Sequence, residues 1–173
     1  YFANIKSLFE KLDGVDTILQ DPAMTSVRLV SNAERMVVRE TQRAYVYFLL
    51  HGLSVDTILV NRMLPDDADG AFLGPLRESQ QHLFGEMAAY FDPVAVRRVP
   101  MFREEVVGLG ALERLADVLD ALDPDPSRVM RSESPYTFTR RDGVHQVRVS
   151  MPFASKQEVG LFKKGDELVI EVG

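Results

Sequence analysis

The sequence predicts an α/β chain: a partial parallel sheet flanked by helices, followed by a small antiparallel β-sandwich-like module. Three observations carry this. Strand and helix patterns alternate with short connections through residue 122, the signature of a layered α/β domain. Residues 55–60 form a nearly unbroken apolar run, the pattern of a strand buried on both faces. Beyond a stretch rich in Pro and Asp, the pattern changes to short alternating runs broken by Gly-containing turns, which reads as antiparallel strands. The chain thus divides into an α/β part over 1–122, a linker over 123–134 and a β module over 135–173.

Taken in order, Phe2, Ile5, Leu8, Phe9 and Leu12 follow helical spacing against a charged face of Lys6, Glu10 and Lys11. Gly14 ends or bends that helix, and Asp21-Pro22 marks a turn. Residues 26–30 form a short strand. Ser31 with Glu34 three residues on reads as a capping box, so a helix begins there and runs to Leu50 or His51, with Gly52 as its C-terminal cap. The strand over 55–60 then completes a strand–helix–strand unit, which requires parallel strands and a right-handed crossover.

Residues 65–75 are rich in Pro, Asp and Gly and read as a surface loop. Helix resumes over 76–90, and 94–99 is a third strand ended by Pro100. Leu109, Leu112, Leu115, Leu119 and Leu122 form one apolar stripe, so 109–122 is an amphipathic helix. The linker composition lies in Asp123-Pro124-Asp125-Pro126-Ser127 and Ser134-Pro135. In the β module, 136–139 and 145–151 alternate around the hairpin turn Asp142-Gly143. The runs 158–162 and 167–172 flank a second turn at Lys164-Gly165-Asp166. Three or four strands in so few residues make a thin core, and the module looks cut short.

Bulk properties narrow the function. The 173 residues suit one domain plus a small module, and 46% hydrophobic with 27% charged residues is a soluble, globular balance. A net charge of −6 argues against nucleic acid as a partner. No apolar run approaches the roughly 20 residues that span a bilayer. The start lacks an initiator Met and any signal-peptide core, and reads like the middle of a longer chain. With no Cys there is no disulfide, thiolate metal site or cysteine nucleophile, which fits a cytoplasmic protein. His51, His82 and His145 lie far apart, without metal-ligand spacing, so no metal site is expected.

The run over 55–60 ends in the polar pair Asn61-Arg62. Ligands of open α/β sheets bind just beyond the carboxyl ends of such strands, and an Asn amide both donates and accepts hydrogen bonds. Asn61 is therefore either a ligand-reading residue or a turn-closing one. Arg35, Arg39 and Arg43 share one helical face, read as solvated beside Glu34 and Glu40. Glu104 and Glu105 read as the acidic lead-in to a helix rather than catalytic carboxylates. Tyr45, Tyr47 and Phe48 read as core, and Arg97-Arg98 as solvent-facing.

Three segments carry a resemblance. Glu34-Arg35-Met36-Val37-Val38-Arg39-Glu40-Thr41-Gln42-Arg43, then Val60-Asn61-Arg62-Met63-Leu64-Pro65, then Val99-Pro100-Met101-Phe102 through Gly108 to Leu112 together resemble the ArsA-type anion-transporting ATPases. That family includes the arsenite-pump ATPase and the ATPase that targets tail-anchored membrane proteins. In the β module, 149–153 and 165–170 resemble the first half of a small heat-shock-protein (α-crystallin-like) sandwich, which some bacterial members carry at their C-terminus. The resemblance implies the C-terminal part of a P-loop ATPase that works as a homodimer with ATP and magnesium. It implies that Asn61 contacts adenine and that Pro100, Met101 and Phe102 pack on the base. Cargo would be an anion, a membrane protein or another polypeptide client.

The departures are equally specific. The chain has no G-x-x-x-x-G-K-[ST] phosphate loop, so its phosphate and magnesium contacts are expected N-terminal to it, and the chain alone is not expected to hydrolyse ATP. It also lacks the Cys-x-x-Cys zinc motif and the metalloid-binding cysteines found within the family. The alternative is a non-enzymatic, chaperone-like module that binds client polypeptide through the β strands.

Overall fold

The computed structural model describes residues 5–7, 12–123, 125, 127–131, 136–149, 157, 159–165 and 167–172. The expected stripe over 2–9, the linker residues Pro124, Pro126 and Pro135, and the 150–153 motif fall wholly or mainly outside these residues. In chain order the elements are α1 (Val15–Gln20), β1 (Val27–Asn32), α2 (Arg35–Leu50), β2 (Val55–Met63), α3 (Leu73–Phe91), β3 (Ala95–Pro100), α4 (Leu109–Leu122), and the strands β4 (Tyr136–Arg141), β5 (Val144–Val149), β6 (Val159–Lys164) and β7 (Glu167–Val172). Strands β1, β2 and β3 form one parallel sheet in that order, while β4–β5 and β6–β7 are antiparallel pairs. The α/β class with an added antiparallel module is thus as the patterning predicts. Among the described residues no helix is long and apolar enough to cross a membrane.

Strand β2 is the centre of the sheet. Val55, Asp56, Thr57, Ile58 and Val60 are all buried. Helices α2 and α3 cover the sheet through Val38, Tyr45 and Leu49 from one and Leu83, Met87 and Phe91 from the other. The Tyr45 and Phe91 rings meet edge-on with centroids 5.5 Å apart, an arrangement that adds to simple burial. In α2 the inward positions are 38, 41, 45 and 49, one helical face. Tyr47 falls off that face and is 61% exposed, against a ring of His51 at 4.3 Å. The expectation that Tyr47 is core is therefore corrected, while Tyr45 and Phe48 pack as expected.

Several boundaries move for identifiable reasons. Ser31 does not cap α2: it belongs to β1, and its buried hydroxyl shares a 2.7 Å hydrogen bond with Thr41 Oγ1. Pairing with β2 through Asn32↔Asn61 holds the chain extended there, and Glu34 becomes the N-cap without a side-chain cap bond. At the other end, Gly52 N–H donates to Leu49 O at 3.0 Å and Leu53 N–H to Phe48 O at 2.9 Å. This is a Schellman closure, and its left-handed residue is Gly52 at φ 79°. Helix α3 starts at Leu73 rather than 76 because Pro75 falls in its first turn, where no intrahelical N–H is needed. Helix α1, beyond Gly14, is an element that the pattern reading does not predict. In α4, Leu115, Leu119 and Leu122 are half-buried as the stripe predicts, but Leu109 (80%) and Leu112 are exposed.

Strand β2 carries one extra residue relative to each neighbour. Against β1 the register runs Val27↔Val55, then Arg28↔Thr57, skipping Asp56. Against β3 it runs Val60↔Arg98, then Met63↔Pro100. Each is a bulge, which re-aims side chains locally. The first bulge delivers a buried carboxylate. Asp56 Oδ2 accepts from Met130 N–H at 3.1 Å, and Oδ1 lies 3.6 Å from Arg28 Nε. Arg28 also pairs with Asp123 at 3.1 Å and donates to Arg128 O at 3.0 Å. Ser54 Oγ donates to Arg131 O, and Thr57 Oγ1 donates to Met130 Sδ. The segment after α4 therefore lies against the amino end of the sheet and bonds Asp56 Oδ2, Ser54 and Thr57, while Asp56 Oδ1 faces Arg28 without a hydrogen bond among the described residues.

Two predictions follow from this packing. Arg28→Ala leaves the Asp56 carboxylate buried without its cation, so urea unfolding should show a loss of about 3 kcal/mol, the low end for a broken buried pair because Arg28 keeps some exposure. The double variant Arg28→Met/Asp56→Leu should lose less than the single one. The second concerns Tyr45. Burial pushes its hydroxyl above the ordinary value of 10.0, and the charge and hydrogen bond of Arg131 pull in the opposite direction. The folded state then holds the proton more tightly than the unfolded state. Its stabilising contribution is full below the unfolded value of 10.0 and lost as pH rises through the raised folded value. The urea midpoint should fall in that alkaline window, and Tyr45→Phe should flatten the fall.

Candidate functional site

The second bulge lies at the carboxyl edge of the sheet. A parallel sheet presents the loops that follow its strands at this edge, and ligands of open α/β folds bind there. The strand does not stop at Asn61, as the polar pair suggests, but continues to Met63 through the irregular step. Arg62 adopts φ 58°, left-handed and unusual for a non-glycine residue. The Asn61 side chain makes this possible locally: Oδ1 accepts from Arg62 N–H at 2.9 Å. The half-buried Asn61 is thus bonded through its oxygen, and its Nδ2 meets no partner among the described residues.

Helix α3 fastens the chain that leaves β2. Gln80 Oε1 accepts from Leu64 N–H at 2.8 Å, and Gln80 Nε2 donates to Arg62 O at 3.3 Å. One turn away, Gln81 Nε2 donates to Asp66 Oδ1 at 3.2 Å and Arg77 donates to Asp66 O. The loop over 65–72 therefore starts from a pinned base. Sequence reasoning misses Gln80 and Arg77, because a polar residue on the exposed side of an amphipathic helix carries no signal of what it bonds.

The chain leaving β3 comes to the same edge. Met101 N–H donates to Met63 O at 2.7 Å, directly beyond the Met63↔Pro100 pair. Asn61, Pro100 and Met101 are thereby drawn to adjacent strand ends. Pro100 and Met101 are exposed and Phe102 is half-buried. Phe102 lines an open cavity of about 360 Å3 together with Arg103, Glu104, Glu105, Val106, Ala111 and Arg114. Asn61, Pro100 and Met101 do not line that cavity, so of the four predicted residues only Phe102 enters it. Glu104 and Glu105 lie in the loop ahead of α4, whose N-cap Gly108 has φ 79°.

The other candidates take no part in these hydrogen bonds. Arg35, Arg39 and Arg43 are exposed, with Arg43 paired to Glu40 at 3.0 Å. Arg97 and Arg98 are exposed, and the Arg98 guanidinium sits 4.4 Å over the Phe84 ring, a cation–π contact. His51 caps α2, His82 pairs with Glu86 on α3, and His145 lies on β5.

The edge places an amide donor beside apolar side chains. An amide with a donor to spare can read a base edge, and the apolar Met101 and Phe102 can cover a base face. The sequence carries no phosphate loop, and among the described residues no group of three or more His, Asp or Glu side chains could hold a metal.

A parallel sheet with an amide-bearing bulge at its carboxyl edge, followed by antiparallel strand pairs, defines the class as an α/β scaffold with an appended β module. Comparison with known proteins gives the family. The family model for anion-transporting ATPases matches residues 1–121, and that for an HSP20-like domain found in ArsA matches residues 142–173. The chain belongs to the anion-transporting ATPase family. It is 40% identical over 177 residues to an Aquifex aeolicus protein named "Putative arsenical pump-driving ATPase 1", covering 100% of this chain and 44% of that protein. It is 35% identical over 170 residues to the Chlorobaculum tepidum protein of that name without the numeral, covering 98% and 42%. An uncharacterized Streptomyces coelicolor protein is 31% identical over 166 residues, covering 94% and 40%. The chain thus spans less than half the length of these curated relatives.

Proposed function

We propose that this chain supplies the base-reading edge of an ATP-binding protein, with Asn61 as the adenine contact and Pro100, Met101 and Phe102 as the cover over the base. The observation that carries this is the hydrogen bond from Met101 N–H to Met63 O. It ties the loop after β3 to the bulge that holds Asn61, so an amide and an apolar surface share one edge. Family membership supports nucleotide as the ligand, and the names of the relatives support ATP hydrolysis by a protein containing this chain. Such a protein would bind ATP with magnesium, work as a homodimer in the cytoplasm and couple hydrolysis to an anion or a protein client. The phosphate and magnesium contacts would come from residues outside this sequence, so no hydrolytic step is assigned to the chain.

Within this reading, Asn61 Nδ2 donates to N1 of adenine, an acceptor at the position where guanine carries an N–H donor. Guanine presents a different edge, and a well-made amide–base pair is worth on the order of 1–3 kcal/mol of discrimination. ATP and GTP titrated into the chain, followed by isothermal calorimetry or amide chemical shifts, should show a preference for ATP. Asn61→Ala should erase that preference, weakening ATP by about 1–3 kcal/mol and GTP little. Equal ATP affinity in Asn61→Ala removes Asn61 from the site.

A second reading has its own observation. The apolar face of the β4–β5 pair carries Phe138, 72% exposed, and the β6–β7 pair carries Leu161, 61% exposed. Exposed apolar strands with free edges suit binding of extended polypeptide. The chain should then slow aggregation of a heat-denatured client without nucleotide, and Phe138→Ser/Leu161→Ser should weaken that effect at least several-fold. No suppression by the parent chain counts against this reading.

A further inference from the structure

We propose that Gln80 of α3 is the positioning residue that fixes the direction of the Asn61 side chain, and through it the purine preference of the site. This inference rests on the base-reading role of Asn61. The bulge in β2 takes residues 61–62 out of the ladder with β3: the register jumps from Val60↔Arg98 to Met63↔Pro100, and the strand ends one residue before Leu64. Backbone groups freed by a bulge need other partners. Side chains and a neighbouring loop supply them here. Arg62 N–H goes to Asn61 Oδ1, Met63 O takes Met101 N–H, and Gln80 takes both Arg62 O and Leu64 N–H.

Gln80 thus closes a bidentate bond across the bulge, accepting at one end and donating at the other. Only an amide does both in one side chain of this length. The consequence reaches Asn61 through one residue. Arg62 sits at φ 58°, a conformation that non-glycine residues seldom hold unless the surroundings impose it. With Arg62 O and Leu64 N–H held by Gln80, the peptides after Arg62 are fixed; through the φ of 58° the preceding peptide then points its N–H at Asn61 Oδ1, and the amide of Asn61 keeps Nδ2 turned away from that bond. Without Gln80, Arg62 relaxes towards negative φ, its N–H turns, and the Asn61 amide can rotate so that oxygen and nitrogen exchange roles. An Asn free to flip presents a donor or an acceptor to the base and no longer separates one purine from the other.

The test uses three variants of the whole chain and reads the ratio of ATP to GTP affinity. Gln80→Met keeps length and apolar volume while removing both hydrogen bonds, so the fold survives. Gln80→Glu keeps the acceptor for Leu64 N–H but sets a carboxylate against Arg62 O. Gln80→Met is expected to lower the ATP preference by about tenfold, the scale of one well-directed hydrogen bond, with ATP and GTP ending within a few-fold of each other. Gln80→Glu should lose the preference as well, because the bond to Arg62 O is the one that orients Asn61. Asn61→Ala/Gln80→Met should be no less selective than Asn61→Ala alone, the non-additivity of residues acting through one contact.

The Asn61 side-chain amide resonances provide a readout without ligand: one sharp pair in the parent chain, broadened or doubled in Gln80→Met. An unchanged ATP-to-GTP ratio in Gln80→Met, with Asn61→Ala still losing it, overturns the role of Gln80 and leaves the base-reading role intact. Loss of preference in neither variant overturns the base-reading role itself.

Discussion

Strand β2 is buried at Val55, Asp56, Thr57, Ile58, Val60 and Met63, and the polar groups along that buried run need partners inside the protein. This constraint organises the α/β part. An apolar central strand would pair with its neighbours in regular register and need nothing more. Here one extra residue on each side breaks the ladder, once beside Asp56 and once beside Asn61 and Arg62. A broken ladder in a buried strand leaves donors and acceptors without partners. The rest of the chain is arranged to meet them.

The two ends of β2 meet this demand with different chemistry. At the amino end the group is a charge, and the answer is a cation with a docked segment: Arg28 and the amide of Met130 face the Asp56 carboxylate. That solution pairs the charge and is structural, although Asp56 Oδ1 takes no hydrogen bond among the described residues. At the carboxyl end the groups are neutral peptide units, and two amide side chains, Asn61 and Gln80, answer them. That solution leaves one donor over, on Asn61. The contrast explains why the amino end acts as an anchor and the carboxyl end is the candidate site. A charge paired with Arg28 and closed over by the docked segment at Met130 is shut off from a ligand, whereas a braced bulge with a spare donor is open to one.

Much of this was legible in the residues. The apolar run over 55–60 announced a central strand, Gly52 the end of α2, Asp142-Gly143 a hairpin and the leucine stripe the whole of α4. Asn61 at a strand end was visible as a candidate, and the ordered segments were enough to name the family. What was hidden were partnerships distant in sequence. Ser31 and Glu34 have capping-box spacing, but strand pairing with Asn61 outcompetes a local cap. The bulges leave no mark because Arg62, not a glycine, takes the positive φ. Gln80 lies sixteen or more positions from its partners, and the segment 128–131 more than seventy from Ser54, Asp56 and Thr57. Periodicity reports which face a residue occupies, not which backbone group it bonds.

In the proposed site an adenine ring would rest between the Asn61 amide and the chain at Met101 and Phe102. Intermolecular nuclear Overhauser effects from the adenine H2 and H8 protons of ATP to the isotope-labelled chain test it most directly. The account predicts cross-peaks to the side chains of Asn61, Met101 and Phe102, with none to the β4–β5 hairpin. Cross-peaks confined to other residues, or none at nucleotide concentrations that saturate the shift changes, would contradict it.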